Sequence, residues 1–208
     1  MARLYLAALL ALGAASSVHA QPPAATLQPS PDSAAQRKAS QKLIACLAKA
    51  RPQWARSMLS HPYLSDAQTY DATKALRGRD TCVTSRDGTE ITFRNSLMVG
   101  SLAEHFLRKD LERADPARVA EKLSTLAPLN VTEDFALCVA SRNPAAARDL
   151  ALSEPGSAAE DSAARKLAAY VEPCTRDSER LTVDLQSLRA LVATALYRGV
   201  TAVLTSGG

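Results

Sequence analysis

Between residues 40 and 205 the apolar positions recur at three- and four-residue intervals instead of alternating, and that period predicts helix along most of the chain. Leu43, Leu47 and Ala50 share a face with Cys46. Phe135 and Val139 do the same around Cys138, behind a predicted N-cap at Thr132 with Glu133 and Asp134 in the first turn. Pro52 and Pro144 each suit the first turn of a short second helix, where the missing N–H costs little. A third helix is predicted from Ser65-Asp66 to about Arg77, and its counterpart from Ser157, after Pro155-Gly156, to about Tyr170. Short extended pieces, "EITF" and "RLTV", lead into the longest helices, capped by Asn95 and Asp184. Their inner stripes are Leu97, Leu102, Phe106 and Leu107 in one, and Leu188, Val192, Ala195 and Leu196 in the other. "DPARVAEKLSTLA" adds a linker helix opening at Asp115-Pro116, which brings the expected number of helices to about nine.

The order of these elements repeats. Cys138 and Cys174 lie 92 positions after Cys46 and Cys82, and the same offset places Pro144 on Pro52, Arg148 on Arg56 and Lys166 on Lys74. After the second cysteine the frame slips by two, so that Thr182 falls on Thr92, Ala193 on Ala103 and Arg198 on Arg108. The expectation is an all-α chain of two tandem repeats of about four helices each, with a linker helix between them and a pseudo-twofold or stacked arrangement. Before the repeats, "MARLYLAALLALGAASSVHA" has the charge, apolar run and small-x-small ending of a secretory signal peptide. The Pro-, Ala- and Ser-rich piece after it has too little apolar surface to build a core and reads as disordered. The predicted organisation is therefore a signal peptide over 1–20, a leader over 21–34, repeat 1 over 35–112, the linker over 113–130 and repeat 2 over 131–205, with no transmembrane span after the signal peptide.

Composition changes the picture in two ways. Aromatics make up only 4% of residues, so the core must come from Leu, Val and Ala. The formal net charge of +4 is spread without like-charge blocks, which argues against a nucleic-acid partner. An exported chain with an even number of cysteines at repeated spacing is expected to carry disulfides, and we pair Cys46 with Cys82 and Cys138 with Cys174 within the repeated units, with crossed pairing between the units as the alternative. Each closes a loop that contributes on the order of 4 kcal/mol in the chain-entropy model. No C-x-x-C or nearby histidine pair suggests a metal site, so neither a metal nor a cofactor is expected.

No G-x-S-x-G, S-x-x-K, H-E-x-x-H or P-loop pattern is present. Glu104-His105 is the one acid-imidazole neighbour pair and the weak catalytic candidate, although adjacent helical residues point about 100° apart and do not face one another. His61, in "SHPYLS", reads as a turn residue. Arg56, Arg108, Arg148 and Arg198 recur in register and are candidates for contact with an anion or partner, against the simpler reading that they complement helix ends or nearby acids. Trp54, Tyr63 and Tyr70 occur in the first half alone, which would place any aromatic contact surface there.

The pattern of Cys, Pro-x-x-A-R, a helix, a second Cys and a closing helix ending in "HFLR" or "ALYR" resembles small exported α-helical proteins of bacteria whose activity is uncharacterised. The resemblance implies an exported helical repeat and assigns no ligand. The expected function is a non-enzymatic interaction or scaffold module of the bacterial envelope, periplasmic or extracellular, with a protein or envelope-surface partner. The alternative is an envelope hydrolase using Glu104 or His105 in a cleft between the repeats.

Overall fold

A computed structural model describes residues 25–28, 32–77, 82, 95–175 and 181–206. The predicted signal peptide and the "EITF" piece lie outside these residues. Among them are nine α-helices and one pair of short strands. The helices are α1 (Ala34–Ala50), α2 (Pro52–Ser60), α3 (Asp66–Arg77), α4 (Asn95–Asp110), α5 (Pro116–Thr125), α6 (Val131–Arg142), α7 (Pro144–Leu152), α8 (Ala158–Ala168) and α9 (Leu185–Thr205). The strands are β1 (Ala25–Gln28) and β2 (Leu181–Asp184).

Local chemistry sets most helix starts. Ser33 and Gln36 form a capping box at α1, with Ser33 N–H donating to Gln36 Oε1 at 2.8 Å and Gln36 N–H to Ser33 Oγ at 3.2 Å. Pro52, Pro116 and Pro144 stand at the first positions of α2, α5 and α7. Asp184 caps α9 by accepting from Ser187 N–H at 2.8 Å, as expected from its sequence position. At α6 the cap is Asn130, not Thr132. Its side-chain oxygen accepts from Glu133 N–H at 2.9 Å while its amide donates to Tyr63 O at 2.7 Å, so a tertiary contact selects between two capable residues.

The leader departs from its expected disorder. Ala25–Gln28 runs parallel to Leu181–Asp184, with Leu27 opposite Val183. Val183 is buried and Leu27 packs against the core, which anchors a strand pair that would be marginal alone. Composition averaged over the leader hides this four-residue piece.

α9 is the centre of the molecule. It packs on α4, and α5, α6 and α7 pack on α9 in turn, while α1 and α2 pack on α4. α9 is long and apolar enough to cross a membrane by length and composition, but 72% of its apolar window is buried inside the protein, where it serves as the core helix. The α4/α9 crossing is closest at Gly100 and Ala190, where a Cβ on Gly100 would fall on that of Ala190. Those two residues correspond in the 90-residue frame of the long helices.

Positions 92 apart elsewhere share backbone geometry. Arg51 and Asn143, before α2 and α7, have φ/ψ of −136/63° and −148/78°. Leu64 and Gly156 both have positive φ, 60° and 77°. Each offers its N–H to the side chain four residues on, Gln68 Oε1 at 2.7 Å and Glu160 Oε2 at 2.6 Å.

Candidate functional site

Cys46 is bonded to Cys82 and Cys138 to Cys174, the pairing expected from spacing, and no described cysteine is free. Two intramolecular disulfides fit an oxidising compartment. The cysteines therefore serve as cross-links.

Glu104 and His105 lie side by side on α4 and face different surroundings. Glu104 points into the interior, 5% exposed, where Arg189 of α9 grips it in a bidentate pair: Nε to Oε1 at 2.7 Å and Nη2 to Oε2 at 3.0 Å. Gln41 Nε2 adds a third donor at 2.5 Å. The same Arg189 donates through Nη1 to Glu160 Oε1 at 2.9 Å and to Ser153 Oγ at 3.1 Å, and through Nη2 to Ser153 O at 2.7 Å. Arg37 Nη1 completes the cluster on Glu160 Oε1 at 2.6 Å. Two acids and two arginines thus neutralise one another out of water. Burial alone would push the Glu160 carboxyl up. The Arg37 hydrogen bond, the Gly156 N–H and the charges of both arginines outweigh it and hold the group below its ordinary value. Arg189 moves the opposite way: burial pulls it down, and Glu104 with Glu160 more than offsets this.

His105 lacks an orienting partner: no carboxylate among the described residues hydrogen-bonds its ring. Burial and then the charges of Lys109, Lys49, Arg108 and Arg56 lower its pKa, so near neutral pH it is an uncharged imidazole among cations. Neither member of the pair has the geometry of a carboxylate-oriented general base. The acid is already committed to Arg189, and the base faces positive charge.

The four repeated arginines take different roles. Arg198 Nη1 donates to Glu133 Oε2 at 2.6 Å, and that buried carboxylate also accepts from Tyr63 N–H at 3.1 Å and Leu129 N–H at 2.8 Å. Arg56 lies over the Phe106 ring at 4.3 Å, with Asp110 Oδ2 3.7 Å and Tyr197 Oη 3.4 Å away. Arg108 is exposed and donates to Leu152 O at 3.3 Å, at the end of α7. Arg148 is exposed. Of the aromatic residues unique to the first half, Tyr63 is buried, Trp54 is half-buried and Tyr70 is 66% exposed, so Tyr70 alone presents its ring to solvent.

Beside His105 a groove of about 350 Å³ runs between α1 and α4 and under the turn after α7. Lys38, Lys42 and Arg108 supply cations; Lys38 is paired with exposed Glu154 at 3.0 Å. Among the described residues no group of His, Cys, Asp and Glu is arranged to hold a metal ion.

Arg189, Glu160 and Arg37 were not singled out by sequence reasoning. A visible trace existed for Arg189, a charge between Leu188 and Ala190 on the most apolar helix. Glu133 reads in the sequence as a helix-dipole residue. Its burial against Arg198 comes from α6 packing on α9. No protein-family model, curated protein or solved structure matches this chain.

Proposed function

We propose that the chain is an exported, internally duplicated helical protein that acts by binding a partner and not by hydrolysis. The observation that carries this reading is the state of Glu104: the acid a hydrolase would need beside His105 is buried in a bidentate pair with Arg189. What remains at the groove is Lys42, Arg108 and His105 beside the small side chains of Ala45 and Ser101, with Glu104 and Glu154 already paired, a surface suited to holding a ligand. Shared geometry at positions 92 apart supports the duplication, and the disulfides support residence in an oxidising compartment.

The test is made on protein recovered from its native compartment after crosslinking. Non-reducing peptide mapping is expected to find a chain beginning near Gln21, both disulfides formed and a discrete crosslinked partner. Free thiols, or no partner in native and crosslinked samples alike, would overturn the reading. The hydrolase alternative makes a different demand: His105→Ala must abolish a measurable hydrolytic activity of the purified protein. Binding alone predicts no such dependence.

A further inference from the structure

The α1/α4 groove has a counterpart on the other side of the α4/α9 crossing, between α6 and α9, where residues stand 92 or 90 positions away in sequence. Leu137 takes the place of Ala45, Leu191 that of Ser101, and Tyr63 that of Pro155. These three larger side chains leave a space of only about 10 Å³, against about 350 Å³ in the open groove. Arg198 takes the place of Arg108, and Glu133 that of Gln41. The closed copy thus contains a carboxylate on its arginine, Glu133 Oε2 at 2.6 Å from Arg198 Nη1, with an apolar plug beside it. The open copy retains the arginine and lacks both. Gln41 is neutral and turned to Glu104, and the one carboxylate whose pKa the Arg108 charge lowers among the described residues is Glu154, an exposed group held by Lys38 at 3.0 Å. The two acids that line the open groove are already matched, Glu104 by Arg189 and Glu154 by Lys38.

We propose that the α1/α4 groove is a binding site for an apolar carboxylate, with the carboxylate set against Arg108 and an aromatic or branched body filling the space that Tyr63, Leu137 and Leu191 fill in the closed copy. The inference rests on the duplication in the preceding reading, which makes the closed copy an internal template for the occupied state. Arginine suits this role because its planar fork matches a carboxylate. Lys42 at the rim adds attraction that salt screens. The ligand chemistry has two sources, a small free acid or the last residue of a peptide.

The experiment is a calorimetric titration of the purified, fully oxidised protein with N-acetyl-phenylalanine, its amide, and a tripeptide ending in phenylalanine with a free carboxylate. The acid is expected to bind and the amide to bind at least about tenfold more weakly, the scale of one charge-assisted hydrogen bond. Arg108→Gln, at an exposed position that leaves the core untouched, should weaken the acid to a similar degree. Ala45→Leu with Ser101→Leu, which installs the closed copy's residues, should abolish binding. Binding of the tripeptide but not the free acid supports the site and assigns a chain terminus; the reverse assigns a small acid. The proposal is overturned if acid and amide bind equally, if Arg108→Gln leaves affinity unchanged, or if neither acid nor tripeptide binds at millimolar concentration. Because purified protein is used, such a failure removes this site without touching the result on cell-derived crosslinked protein.

Discussion

The turn entering α3 and the turn entering α8 follow one plan and end in different chemistry. In both, a serine caps the helix, a residue of positive φ donates its N–H to the side chain four positions on, and that side chain is fully buried. At α3 the side chain is Gln68, whose amide also donates to Met58 O at 3.1 Å and His61 O at 3.5 Å. At α8 it is Glu160, which can only accept and therefore needs donors from elsewhere, supplied by Arg37 and Arg189. Exchanging an amide for a carboxylate changes a turn satisfied by its own neighbourhood into a joint that draws in α1, α4 and α9. A buried charge makes a local motif dependent on distant parts of the chain.

The largest effect should come from removing the arginine of that joint. Arg189→Met leaves Glu104 and Glu160 short of their partner in the interior and is expected to cost about 3–5 kcal/mol in denaturant unfolding. Gln68→Ala at the neutral turn should cost less, about 1–3 kcal/mol. Equal costs would mean that the charged cluster adds nothing beyond its counterpart. Next come the disulfides, each joining cysteines 36 positions apart around one of the two turns. Replacing either pair by serine should cost about 4 kcal/mol. The losses should match because the loops match. An excess for Cys46–Cys82 would show that the Glu160 joint holds the second half together without its bridge.

A pH titration separates the turns by charge. Glu160 has a folded pKa below its ordinary value of 4.5, so its contribution is fully present above that value and is lost as pH falls through the folded pKa. Glu160→Gln, which gives α8 the chemistry of α3, should flatten this acid limb while lowering stability at neutral pH. Unfolding midpoints between pH 6 and pH 2 would show it; an unchanged limb would assign acid sensitivity to other carboxylates. The smallest effect concerns the positive-φ residues. Leu64→Gly should stabilise by up to about 1 kcal/mol, since a left-handed conformation disfavours a side chain, offset in part by the unfolded-state freedom of glycine. Gly156→Leu should destabilise more than this, because a Cβ there would lie 2.5 Å from that of Ala34. Thermal midpoints of the two variants check the pair.

Much of the fold was legible because its signals are short-range. Pro52, Pro116 and Pro144 mark helix starts through their own ring geometry, Asp115, Ser157 and Asp184 cap by reaching two or three residues, and the inner stripes of α4 and α9 follow the helical period. Cysteine pairing was legible only in part: repetition allows bridges within each unit, 36 positions apart, or crossed bridges between units, 92 apart, and the fold carries the former. Legibility failed wherever a residue had two competent local roles or a partner far along the chain. Asn130 and Thr132 both cap well in isolation, and contact with Tyr63 decides between them.

Helical class and the order of the helices follow from the sequence, because propensity, capping and spacing act within a few residues or repeat at a constant offset. Long-range packing made Ala25–Gln28 a strand, set Arg189 on Glu104 and left the groove beside His105 open. Those outcomes depend on groups 85, 123 or more positions apart meeting in a low-dielectric interior. There an unpartnered charge is costly, and no periodicity in the chain records which partner it will find.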